Sequence, residues 1–550
     1  MKRNNFFKMG SLTFILIFFV FRGELNAQSK LYNRLDHYMS NASYFGFSGA
    51  LLVEKNDEIV LSKGYGFANK EYLVPFTDSI IIDIASCTKT FTATAILQLH
   101  DQGKLNVNDK ITRYFENVPD DKSNITIGQL LSNSSGLGEY LSARSDISRD
   151  SYITKVLERP FEGKPNTWFY SNDGFSILAA IIEKVSGITF EEYVLQHFIE
   201  PLKMMHTGFF GDKKWDEKYL GHSYNREKDY GSFTNNNNQW SDKGSGNMAS
   251  SLLDMYKWVK ASMRNDFLKQ NTYDLQFKPH VKLNPKWQYG YGWFLVTSDR
   301  GTKVLRFGGN NTPAGITIEV RIFPEEDAMY ILFCNEMVDE TGLVRPLRDN
   351  IEKMIFDSDF ENKLSSKEIV HSSSIQNTFY LNSWNSKTII EPYLDQYLLK
   401  TENQEIVNAI IEPEYDKKKQ LLNYNNKAKE MLNMLLKGIY PDKELQDYFW
   451  KKVKLKDFKV LCTAPLSDSY DGTFVKVWTP LGQFIFICLW ENDELLYIND
   501  ETNELPSWRM VKTQNGFLGY DLILNKEFTI KRSGSHFTII SNNHETVFDI

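Results

Sequence analysis

Cysteine is scarce in this chain. Four stand in 550 residues, at Cys87, Cys334, Cys462 and Cys488. Their wide spacing and apolar neighbours ("ILFCNE", "KVLCTA", "FIFICLW") mark them as small buried hydrophobes, with a Cys462 to Cys488 bridge as the one pairing left open. There is no Cys-x-x-Cys and no His-rich tract, so no metal cluster is expected, and no organic cofactor is called for. A long basic block is missing too. Its 63 Lys+Arg and 70 Asp+Glu are mixed along the chain and leave a net charge of −7 with a pI of about 5.8, which argues against nucleic acid as a partner. No internal repeat is visible.

Long apolar runs are also few. The one at the start, in "MKRNNFFKMGSLTFILIFFVFRGELNAQSK", covers about Met9 to Phe21 and falls short of the ~20 residues needed to cross a bilayer. Lys2, Arg3 and Lys8 precede it and a small residue, Ala27, follows, the order of a secretory signal. The expectation is cleavage after Ala27, a periplasmic or secreted protein of a bacterial cell envelope, and no stable membrane span thereafter. The whole chain is 42% hydrophobic and 14% aromatic, enough for about two to four folded units.

Between Phe47 and Asn69, two short apolar runs flank the polar turn Lys55-Asn56-Asp57-Glu58 and read as a hairpin. Helical spacing follows over Thr90 to Gln102, with Gly103 as a stop, then in "DGFSILAAIIEKVSG" with Gly187 as a cap, and in "SLLDMYKWVKASM". The turn-rich stretch "NREKDYGSFTNNNNQWSDKGSGN" is placed as a loop bordering a cleft. Strands return in "YGYGWFLVTS", "KVLRFGG", "GITIEVRIFP" and "AMYILFCNE". The polar stretch 357–374 is placed as a linker after a domain over 28–356. A helical segment over 375–457 and a small β-rich module over 458–550 are expected beyond it.

Three clusters can carry chemistry. In "IASCTKTF", Ser86 and Lys89 share one face of a helix start. Singly they read as a helix cap and a solvated lysine. Together they read as nucleophile and base, because a lysine whose ordinary pKa of ~10.4 is lowered by burial and by the positive helix end can activate a serine. In "WFYSNDGF", Tyr170 can shuttle a proton and the Asn172 amide can orient lysine and substrate. In "LRFGGNNTPAG", a strand running into Gly308 and Gly309 can offer a backbone N–H to an oxyanion, with Arg306 adding positive charge.

In this order, over about Tyr44 to Glu336, these elements resemble the serine β-lactamase and penicillin-binding superfamily, closest to its class C branch with the related esterases and D-peptidases. The supporting stretches "SGALLVEKNDEIVLSKGYGFANKE", "ITIGQLLSNSSGLGEY" and "YGYGWF" resemble it as well. The resemblance implies an α+β fold in which an antiparallel sheet carries flanking helices beside an all-helical region, with the site in the crevice between. It implies a nucleophile at Ser86, a base at Lys89, a proton shuttle at Tyr170 and an orienting amide at Asn172. The oxyanion would lie between the N–H groups of Ser86 and Gly309.

The third motif departs from the family, which has lysine or histidine, then a small hydroxyl or glycine, then glycine. It is read here as Arg306-Phe307-Gly308. A one-residue shift puts Phe307 in the cation's place. Where the family more often has histidine, "LLSNSSGL" has Asn133, taken as peripheral. The expected activity is an exported serine hydrolase working through a Ser86 acyl-enzyme on a small-molecule or peptide amide or ester, with a cell-wall-derived D-peptide or β-lactam-like substrate favoured. An esterase is the direct competitor, and a penicillin-binding or sensing protein with little turnover is the contrasting reading.

Overall fold

The computed structural model describes residues 28–139, 141, 147–225, 228–311, 315–337, 344–362 and 364, and, with gaps, 379–549. The expected signal peptide lies outside the described residues. Two compact units are formed. One joins the residues up to Asn33 to Ser48–Met337, and the other joins Arg34–Phe47 to Val338–Ile550.

The first unit is built on an antiparallel sheet of eight strands. Their ranges are β1 (Gly49–Lys55), β2 (Glu58–Tyr65), β3 (Val281–Lys282), β4 (Trp287–Tyr289), β5 (Phe294–Thr297), β6 (Lys303–Asn311), β7 (Ile316–Phe323) and β8 (Ala328–Cys334). The order across the sheet is β3-β4-β5-β6-β7-β8-β1-β2. The first strand of this sheet thus pairs with its last in sequence, β1 against β8 from Gly49↔Cys334 to Lys55↔Ala328. Side chains alternate across a strand, so Leu305 and Phe307 of β6 join Ile318, Val320 and Ile322 of β7 in one apolar cluster. Val304, Arg306 and Gly308 take the other face. β5 pairs with β6 only over Lys303 to Arg306, which leaves the far half of β6 as an open edge.

Three helices match the sequence reading: α1 (Thr88–Asp101), α2 (Asn172–Ser186) and α3 (Leu252–Met263). Helix α2 starts at Ser171, whose hydroxyl accepts from the Gly174 N–H, and stops at Gly187, where φ is +82°, a left-handed turn that glycine adopts without strain. Helix α3 is pinned to α1 by Trp258, which stacks on Phe91 at 3.8 Å and donates its indole N–H to Thr90 Oγ1 at 3.0 Å. The stretch read as a cleft-bordering loop contains a strand, Lys228–Ser232, before it turns back toward α1 and α2.

The second unit departs from the expected boundaries. The segment 375–457 is not helical throughout. It opens with strands Phe379–Ser383, Ser386–Tyr393 and Gln396–Thr401 before helices Gln404–Ile411 and Tyr415–Leu436. Those strands are rich in aromatic and β-branched residues ("FYLNS", "SKTIIEPY", "QYLLKT"), which favour a pleated surface, and they extend a sheet continued by Ser507–Thr513 to His544–Asp549. Of the expected linker, residues 357–360 are fixed by Arg34, whose guanidinium donates to the carbonyls of Asp357, Ser358 and Phe360. Leu364 is held by the Asn41 amide. All four cysteines are free and buried. Cys462 faces Phe474, and Cys488 faces Thr473 on the same intervening strand, so the open pairing is not made.

Candidate active site

Ser86 is not a helix cap. It lies in a one-turn 3-10 helix, Ala85–Cys87, and Cys87 holds the N-cap position of α1 without a side-chain cap bond. Its hydroxyl is therefore left to other partners. Lys89 Nζ is 2.9 Å from Ser86 Oγ, and the Tyr170 hydroxyl lies 2.6 Å from the same oxygen. Lys89 is only 2% exposed. Beyond Ser86, its Nζ donates to Asn172 Oδ1 at 2.7 Å and to the Ser245 carbonyl at 2.8 Å. An amine has three directions besides its carbon. With two of them held on fixed acceptors, the third points at the serine oxygen.

The three chain segments meet because each is clamped locally. Asn133, taken as peripheral in the sequence, has φ +53°, a conformation asparagine tolerates better than most residues. Its carbonyl accepts from the Phe169 N–H at 2.8 Å and its Oδ1 from the Ser171 N–H at 3.1 Å. Tyr170 is thus fixed from both flanks. The Ser245 carbonyl arrives on the loop after β-strand Lys228–Ser232, which is held against α1 where Thr92 Oγ1 donates to the Gly244 carbonyl at 2.7 Å. A main-chain acceptor carries no side-chain signature, so nothing in the sequence singled out Ser245.

The third motif is placed differently from its reading. Phe307 shares its strand face with Gly309, is 3% exposed, and packs edge-on against Trp293 at 4.6 Å. Arg306 points to the opposite face. There its Nε and Nη2 donate to the two carboxylate oxygens of Glu319 at 2.8 and 2.7 Å, and its guanidinium lies over Phe294 and Trp287. The charge expected of Arg306 is matched by Glu319, and its side chain is 22% exposed. Gly308 sits beside that guanidinium: a Cβ there would come within 3.5 Å of Arg306 Nη2. Gly309 is required by contact, because a Cβ there would come within 2.2 Å of the Ile84 carbonyl.

One acidic residue was overlooked. Asp83, 6% exposed, accepts from the Ala85 N–H at 2.7 Å and from Asn311 Nδ2 at 3.2 Å. A lone charge inside the apolar run "IIIDIAS" was the available signal. Burial pushes its carboxyl up from 3.8 to about 7, against the opposing pull of these two hydrogen bonds.

With this geometry in place, comparison with known proteins becomes informative. A sequence model of the Beta-lactamase family matches residues 39–350, more than half of the chain. The chain belongs to the Beta-lactamase family. Over 270 residues it is 29% identical to the putative penicillin-binding protein PbpX of Bacillus subtilis, covering 49% of this chain and 67% of that one. It is 27% identical over 272 residues to a teichoic acid D-alanine hydrolase of Staphylococcus aureus, again with 49% and 67% covered. In fold it is similar to the D-amino acid amidase of Ochrobactrum anthropi, with a TM-score of 0.52, 20% identity, and 60% and 100% of the two chains covered. These findings establish a serine hydrolase family and the α+β fold expected of it.

Two outcomes are expected. Lys89→Ala should slow acylation by ~10²–10⁴-fold, the usual contribution of a positioned base, read from single-turnover kinetics, and a loss under threefold would contradict the arrangement. For Asp83, the native carboxyl keeps its proton up to about pH 7 while the unfolded one releases it near 3.8, so its contribution to stability falls as pH rises through that window. Urea unfolding from pH 4 to 8 should show this fall in the parent protein and a flatter profile in Asp83→Asn. Parallel profiles would refute it.

Proposed function

We propose that this Beta-lactamase-family protein is an exported hydrolase that works through a Ser86 acyl-enzyme on D-alanyl or similar small esters and amides. The observation that carries the reading is the Lys89 amine held by Asn172 Oδ1 and the Ser245 carbonyl, with its remaining direction on Ser86 Oγ. Lys89 takes the hydroxyl proton as Ser86 Oγ attacks the carbonyl carbon. The oxyanion that forms is held by two backbone N–H groups. One belongs to Ser86. The other is on the open edge of β6: the Asn311 carbonyl accepts from Gly315 across the turn into β7, and hydrogen-bond directions alternate along a strand, which supports Asn310, one residue beyond the expected Gly309, as the edge donor. Tyr170 protonates the leaving oxygen or nitrogen and recovers a proton from Lys89; water then attacks the acyl carbonyl, Tyr170 and Lys89 pass one of its protons back to Ser86 Oγ, and the Ser86–acyl bond breaks to release the acid. No step requires a metal or an organic cofactor.

The substrate follows from the third motif. A β-lactam or a D-peptide carries a carboxylate for which the family pattern supplies a cation, whereas here Phe307 is apolar and Arg306 is paired with Glu319. An acyl donor without that carboxylate fits better, and one of the relatives is named for removing D-alanine from teichoic acid. Export rests on the first 27 residues, with cleavage after Ala27. Among the described residues no helix is long and apolar enough to cross a membrane.

Comparing kcat/KM on a nitrophenyl ester of D-alanine with that on a chromogenic cephalosporin tests the proposal. The ester is expected to be favoured at least tenfold. Preference for the cephalosporin would overturn the substrate reading, and a cephalosporin adduct that outlasts the ester's would replace it with a penicillin-binding role.

A further inference from the structure

Resting on the Ser86 reading above, the geometry points to Asp83 as a positioning residue that sets the spacing of the two oxyanion-binding N–H groups. The two donors belong to segments far apart in sequence. Ser86 follows the short strand Ile82–Asp83, which pairs with Met248–Ser250, and Asn310 lies near the end of β6. Only a link between these segments can keep their N–H groups at a fixed separation.

Once ionised, above about pH 7, Asp83 makes that link with one acceptor-only carboxylate. Its Oδ1 accepts from the N–H of Ala85, immediately before Ser86, and its Oδ2 from the side-chain amide of Asn311, immediately after Asn310. Each arm therefore acts one residue from a proposed donor. Ala85 also needs a clamp. Its φ is +43°, a left-handed conformation that a residue with a side chain holds only where its surroundings enforce it. Contact between Gly309 and the Ile84 carbonyl sets how near the segments come, and the carboxylate sets how far apart they can drift. Asp83 touches neither Ser86 Oγ nor Lys89, so it acts through the backbone alone.

At pH 8, where the carboxyl is ionised, replacing Asp83 by asparagine preserves shape but turns one acceptor into a donor, which then meets either the Ala85 N–H or the Asn311 amide. Asp83→Asn is expected to lower kcat by ~10–10²-fold, within the range for a weakened oxyanion donor, with KM changed less than threefold. Affinity for a phenylboronic acid, whose tetrahedral Ser86 adduct places an oxygen between the two N–H groups, should fall in parallel. The double variant Asp83→Asn with Asn311→Asp restores one acceptor for Ala85 and a donor–acceptor pair between the side chains, and should recover most of both losses. Asn311→Ala, which removes one arm only, should lose ~3–10-fold in kcat and serves if Asp83→Asn does not fold. Single variants that keep parental kcat and boronate affinity, or a double variant no better than Asp83→Asn, would overturn the inference. Absence of a Ser86 adduct in the parent protein would instead overturn the reading on which it rests.

Discussion

The amine of Lys89 is the group around which the first unit is organised. A lysine this deeply buried is costly unless its hydrogens find acceptors, and here three oxygens from three separate segments meet it. Ser86 is supplied by the turn into α1, Asn172 by the first residue of α2, and the Ser245 carbonyl by a loop between strands. Each acceptor is neutral. The serine oxygen is the one acceptor of the three that can also give up a proton.

The rest of the unit holds those segments together. Pairing of β1 with β8 joins the first and last strands of this sheet, and the open half of β6 runs past the start of α1. Gly309 lets the backbone of that edge reach the Ile84 carbonyl. Trp258 locks α3 onto Thr90 and Phe91, just beyond Lys89. The site's precision thus comes from contacts made largely by residues that take no part in the chemistry.

Much of this was legible in the sequence because the signals are local. The Ser86–Lys89 spacing, the cap at Gly187 and the periodicity of the three helices each depend on neighbours within a turn or two. What was missed depends on contacts between distant segments. Ser245 contributes only a carbonyl. Arg306 turns to Glu319 and Phe307 to Trp293 on opposite faces of β6, and a one-residue shift of register reverses such an assignment. Asn133 matters through its backbone conformation, which its position in "LLSNSSGL" did not disclose. The strands of 379–401 pair with one another locally, but they join the rest of their sheet only through Gln396–Thr401 and Ser507–Thr513, more than a hundred residues later.

The central claim is that Ser86 is acylated. Intact-mass spectrometry of the mature protein and of Ser86→Ala, followed over time with an activated ester of D-alanine, tests it most directly. A mass increase equal to the acyl group that rises and decays in the parent protein and is absent from the variant is the predicted result. An equal increase in both, or none in the parent protein, would contradict it.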